Sequence, residues 1–197
     1  MNYRKIALAV ILTIMIFPGA VVAANTSIGV NVGSSEVEGW VDTQLDPYKT
    51  PLLLGAGFLY SDDDYWIANG HIAVKDEVFI PGLSLGLGFK GVVGEVEILR
   101  RDYDVAAFCL MFLGEYDFRK NGTRLPIGIS ASIAGAPETL SARDTEQYIE
   151  FNSTFNFYIN NWATAFAGYR KIDIEFDKPI VRDWDDDAFF GGIRISF

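Results

Sequence analysis

The sequence predicts an all-β protein, a transmembrane antiparallel up-and-down β-barrel of ten strands, with eight as the alternative. Three observations carry that expectation. Residues 188–197 alternate Phe189, Gly191, Ile193, Ile195 and Phe197 with Phe190, Gly192, Arg194 and Ser196. This is a strand with one face in lipid and the other in a lumen, ending on an aromatic carboxyl terminus. At the other end, Arg4 and Lys5 precede an apolar stretch over 6–17 and the small residues Val21, Val22 and Ala23, which is the order of a secretory signal peptide. Finally, half of the 197 residues are hydrophobic, yet after the leader no apolar run approaches the ~20 residues of a spanning helix.

Residues 1–23 are therefore expected to be removed, with cleavage near Ala23 or Ala24. A membrane anchor is too long for this stretch, which Pro18-Gly19 interrupts, and the absence of a cysteine near the cleavage point excludes lipoprotein processing. Residues 24–197 then form a single outer-membrane barrel domain. Loss of Arg4 and Lys5 leaves fourteen basic against twenty-six acidic residues. Such a surface has no electrostatic means of holding nucleic acid, whereas it suits a membrane face rich in divalent cations. Cys109 stands alone, which rules out an intrachain disulfide, a cysteine zinc cluster and a CxxC redox pair.

Ten alternating segments, punctuated by Gly, Pro, Asn and Asp, fall near 27–33, 36–44, 51–60, 65–75, 82–98, 104–118, 124–134, 145–159, 162–176 and 188–197. The fifth sets Leu83, Leu85, Leu87 and Phe89 against Ser84, Gly86, Gly88 and Lys90. The seventh sets Leu125, Ile127, Ile129, Ala131 and Ile133 against Gly128, Ser130 and Ser132. In the eighth, Ile149, Phe151, Phe155, Phe157 and Ile159 oppose a polar ladder of Tyr148, Glu150, Asn152, Thr154, Asn156 and Tyr158, which is expected to line the lumen. The second is the weakest, with only Val37, Gly39 and Val41 alternating; bacterial barrels favour even strand counts, so losing it would point to eight. Residues 105–113 are apolar on both faces, which leaves the orientation of Cys109 open and makes inert packing its plainest role.

With both termini in the periplasm, the outward connections hold Asp62-Asp63-Asp64, 97–103, 135–147 and 177–187. The inward ones hold 75–82, the turn Arg119-Lys120-Asn121-Gly122 and Asn160-Asn161. The outward set is on average the longer, as outer-membrane barrels require.

The chain resembles the YfaZ family of outer-membrane proteins across essentially its whole mature length. The likeness rests on SIGVNVG, LGAGFLYSDDD, PGLSLGLGFKG, DVAAFCLMFLGEYDF, APETLS, WATAFAGYRKI and GGIRISF in that order. The resemblance implies a small barrel with no established activity and supplies no catalytic residue. It also implies that APETLSARD, with Arg143 and Asp144, forms a proline-containing outer loop.

No catalytic, cofactor-binding or metal-binding residue and no cofactor is assigned from the sequence, and the protein is expected not to be an enzyme. His71 is the only histidine. It lies ~20 Å down its strand from Tyr65 at ~3.4 Å per residue, too deep for an outer-loop protease site, and no triad motif accompanies it. Asp62-Asp63-Asp64 and Asp185-Asp186-Asp187 lack calcium-loop spacing and read as solvated tips. Their functional alternative is a divalent-ion bridge to lipopolysaccharide. Lys90, Glu115, Glu150, Arg170 and Arg194 fall on lumen-facing registers and are expected to pair, filling the lumen. The nine residues Trp40, Trp66, Trp162, Trp184, Tyr60, Tyr65, Tyr148, Tyr158 and Tyr169 read as interfacial girdles. The expected partners are outer-membrane lipids, lipopolysaccharide and the barrel assembly machinery, which would engage the terminal strand ending in Phe197. A structural or surface-interaction barrel is the first functional expectation, a narrow solute channel the second and an envelope-lipid enzyme the third.

Overall fold

The computed structural model describes residues 24–197 apart from 46–50, 63–64, 123–124 and 178–182. The leader 1–23, Asp63 and Asp64 lie outside the described residues. The strands are β1 Ala24–Gly33, β2 Glu36–Leu45, β3 Leu52–Ser61, β4 Tyr65–Glu77, β5 Leu83–Ile98, β6 Arg101–Asp117, β7 Ile127–Ala136, β8 Ser141–Arg143, β9 Thr145–Tyr158, β10 Ala163–Phe176 and β11 Asp183–Ser196. Ten of them form the wall of an antiparallel barrel, each paired with its chain neighbours. The short β8 is an addition to that wall.

The sheet closes where β11 meets β1, with Ser27 opposite Ser196 and Gly33 opposite Phe190. Phe197 N–H donates to Thr26 O at 2.8 Å, so the seam runs to the carboxyl terminus. Closure leaves no edge strand unpaired, the condition for a sheet in hydrocarbon. All ten segments read from the sequence are present, including the weak second one.

The alternation places its apolar sets on the outside. Leu85, Leu87, Phe89, Phe108, Leu110, Phe112, Ile129, Ile133, Phe151, Phe155, Phe189 and Ile193 are all exposed. A belt of this extent on a water-soluble protein would be an association surface; around a closed barrel it is the lipid contact of an outer-membrane protein.

Above this belt β5 and β6 continue as a hairpin, with Glu95 opposite Asp104 and Glu97 opposite Asp102. Similarly, β10 and β11 carry Asp173 opposite Asp185 and Glu175 opposite Asp183. The connection between β5 and β6 is therefore short as a loop, just Leu99-Arg100. The rest of the expected connection 97–103 is folded into strand, because β5 and β6 go on pairing to Ile98 opposite Arg101. Leu99 and Arg100 both take positive φ, 55° and 66°, the arrangement of a two-residue turn whose twist matches the flanking strands. β7 pairs with β6 only as far as Gly135 opposite Leu110. A 3-10 turn, Glu138–Leu140, then leads into β8, whose Ser141 and Arg143 pair with Ala107 and Val105. The loop expected around 135–147 thus covers the edge that β7 leaves open.

The aromatic girdle is corrected in part. Trp66, Tyr60, Tyr169 and Trp162 share parity with the lipid belt or lie at its inner edge. Trp40, Tyr65, Tyr148, Tyr158 and Trp184 instead share parity with lumen residues. Tyr65, Tyr148 and Tyr158 are buried, Trp184 packs edge-on to Tyr65 at 5.0 Å, and Trp40 lines an interior cavity. These rings fill the barrel.

Candidate functional site

The lumen is the site, and its chemistry changes with depth. The outer half is apolar. On β6 the odd residues Tyr103, Val105, Ala107, Cys109 and Met111 point inward and are buried, which resolves the stretch where both faces looked alike. They pack with Ile67, Val92, Val96, Tyr148, Ile172, Ile174 and Phe176 into one hydrophobic cluster. At its margin the Tyr65 hydroxyl donates to Asp186 Oδ2 at 2.6 Å and lies 3.2 Å from Glu36 Oε2. The Asp185-Asp186-Asp187 triad is thus split by strand parity, with Asp186 inside and its two neighbours outside.

Below the cluster sits a layer of buried ion pairs. Arg170, itself 3% exposed, pairs with Glu36 and, at 2.7 Å, with Glu38 Oε2. Lys90 Nζ donates to both carboxylate oxygens of Glu150, at 2.7 and 2.6 Å, and the Tyr148 hydroxyl donates to Glu150 Oε2 at 2.6 Å. Asn31 Nδ2 donates to Glu38 Oε2 at 2.8 Å. Buried charges persist only when paired this closely, so the layer cross-braces strands far apart in sequence.

The inner half is polar and hollow. A cavity of about 240 Å³ is lined by Trp40, Asp42, Asn69, His71 and Arg194, among others. A second of about 240 Å³, bordered by Ser27, Gln44, Asn160 and Arg194, lies at the end bearing the termini. Asp42, Lys75, Glu115 and Arg194 border both. Lys75 pairs with Glu115, and Ser130 and Thr154 share a 2.6 Å hydrogen bond that Asn156 joins. Arg119 pairs with Asp117 at 2.7 Å and stacks over the Tyr158 ring at 3.4 Å.

His71 Nε2 lies 3.3 Å from Asp42 Oδ1, and the site's glycines explain how. A Cβ at Gly55 would fall 2.0 Å from Asp42 Oδ1 and 2.3 Å from His71 Cε1. Gly55 sits opposite both residues in the sheet, and its missing side chain is the space in which they meet.

Lys90, Glu150 and Arg170 pair as expected. Glu115 pairs with a lysine not singled out beforehand, and Arg194 has no ion pair or hydrogen bond among the described residues. Glu36, Glu38 and Asp42 escaped notice. Their signal was present: on β2 the even residues Glu36, Glu38, Trp40 and Asp42 oppose Val37, Gly39 and Val41, an acidic lumen face behind a sparse lipid face.

A family model described as YfaZ precursor matches residues 3–197. No curated protein matches the chain. Among solved structures, the NanC porin is similar at 8% identity and a TM-score of 0.50, over 89% of this chain and 100% of that one. OmpT of Vibrio cholerae aligns at 14% identity and a TM-score of 0.39, over 82% of this chain and 56% of that one. Neisserial surface protein A aligns at 12% identity and a TM-score of 0.27, over 88% and 94%. The first likeness agrees with a closed outer-membrane barrel fold.

Proposed function

The chain belongs to the YfaZ family, and we propose that it acts as a non-enzymatic, non-conducting outer-membrane barrel whose lumen is filled in its outer half and whose rim meets the cell-surface layer. The observation that carries this reading is the complete burial of Val96, Val105, Tyr148, Ile174 and Phe176 inside the barrel. For ten strands the bore is little wider than in eight-stranded barrels, which side chains just fill. A hydrophobic cluster of this size, seated on paired charges, supports a lumen closed to hydrated ions.

Acidic residues on the outer hairpins would face lipopolysaccharide through divalent ions, and the terminal strand ending in Phe197 would be read by the barrel assembly machinery. His71 lies 3.3 Å from the Asp42 carboxylate, a contact that we read as part of the packed lumen wall. The polar inner cavities favour the second reading, a narrow channel. Liposome swelling separates the two: vesicles carrying the folded barrel should swell in small sugars no faster than empty ones, and rapid swelling would establish the channel.

A further inference from the structure

Arg194 and Asp42 are opposite charges that border the same two cavities at the termini-bearing end of the lumen. Arg194 makes no ion pair or hydrogen bond among the described residues and has a longer-range attraction to Glu115, while Lys75, Lys90, Arg119 and Arg170 each hold a carboxylate. Among the described residues, Asp42 has the 3.3 Å approach of His71 as its one ionic contact. Trp40 lines one of these cavities with them. Its indole covers Gly29, where a Cβ would stand 2.2 Å from Trp40 Cζ2. Gly29 is the residue opposite both Trp40 on β2 and Arg194 on β11. Gly29 therefore makes room for the Trp40 indole and Gly55 for the Asp42 carboxylate, in a cavity that Arg194 also borders. Each glycine would clash severely if it carried a side chain.

From this constellation we infer that the inner vestibule binds a small zwitterion bearing an ammonium and a carboxylate. The carboxylate is taken by the planar fork of Arg194, which suits bidentate recognition. The ammonium is held by Asp42 and the face of Trp40, where a cation is attracted by the ring quadrupole. β11 and β2 are separated by β1 alone, so their backbones are about 10 Å apart. The cavity that Arg194, Asp42 and Trp40 all border, about 240 Å³, has room for one small amino acid. A purely anionic ligand would meet the charge of Asp42, and a purely cationic one that of Arg194. Entry is from the periplasmic end, because the apolar cluster closes the other. This binding does not require the lumen to be impermeable, so it stands or falls separately from the functional reading above.

The test is a titration of the full mature chain in lipid nanodiscs with alanine, propionate and ethylamine, followed by NMR of the Arg194 Nε–H and Trp40 indole N–H resonances. Alanine should shift both resonances saturably, in about the millimolar range for so small a ligand. Propionate and ethylamine should bind more weakly. Arg194→Gln and Asp42→Asn should each weaken alanine by about tenfold, the loss of one charge-assisted contact, with folding verified by heat-modifiable gel mobility. Alanine that shifts neither resonance, binds no better than propionate, or binds both folded variants as it binds the wild type would overturn the inference.

Discussion

Lys90 on β5 and Glu150 on β9 meet across the lumen with the ammonium between both carboxylate oxygens, and Tyr148 closes the group from above. The two residues are separated by β6 and β7 in the wall, so the pair ties non-adjacent strands together through the lumen and forms part of the floor of the apolar cluster.

Removing one member of that pair leaves an uncompensated buried charge. Glu150→Gln is expected to destabilise the barrel by about 3 to 5 kcal/mol. The double variant Lys90→Met/Glu150→Leu should recover most of the loss. Urea unfolding in lipid vesicles measures both, and a double variant as unstable as the single one would refute the pairing.

The parity split of the aspartate triad gives opposite signs at adjacent residues. Asp185 faces Asp173 across the strands, and directly opposed like charges are unfavourable, so Asp185→Asn should stabilise the outer hairpin by about 0.2 to 1 kcal/mol at low ionic strength. Asp186→Asn weakens the Tyr65 contact and should destabilise by about 1 to 3 kcal/mol. The same sign for both would contradict the assigned faces.

Two glycines discriminate the seam from open wall. A Cβ on Gly192 would lie 2.3 Å from the Val30 carbonyl oxygen and 2.6 Å from Phe166, while Gly39 has nothing within 4 Å. Gly192→Ala should cost about 1 to 3 kcal/mol by overpacking and hinder β1–β11 closure. Gly39→Ala should fold with unchanged stability. Midpoints of urea denaturation compare them.

Cysteine labelling maps the filled half against the hollow one. Cys109 is fully buried in the apolar cluster and should stay unmodified by a water-soluble maleimide in the folded barrel. Gln44→Cys, at the inner cavity, should label readily. Modification of Cys109 without unfolding would mean that water reaches the cluster.

Strand parity was legible wherever one face was polar. On β9 the ladder from Tyr148 to Tyr158 was read in full, and on β11 Arg194 and Phe190 were correctly set opposite Phe189 and Ile193. Along 105–113 the signal vanished for a physical reason: the lumen there is itself apolar, so both faces of β6 are hydrophobic. The same fact misled the reading of aromatic residues. Position near a strand end suggested an interfacial anchor for Trp40, Tyr65 and Trp184, but parity with Asp42, Ile67 and Asp186 puts them inside. β8 was missed because three residues carry no periodicity. The partners of Arg170 and His71 lay on β2, the strand with the faintest lipid face, and only the closed register brings those residues together.

Single-channel conductance in planar bilayers tests the closed lumen most directly. The mature chain, its folding verified by heat-modifiable mobility, should give no discrete steps, while a variant emptied of its plug by Tyr148→Ala, Ile174→Ala and Phe176→Ala should conduct if it remains folded. Reproducible steps from the wild-type barrel would contradict a filled lumen.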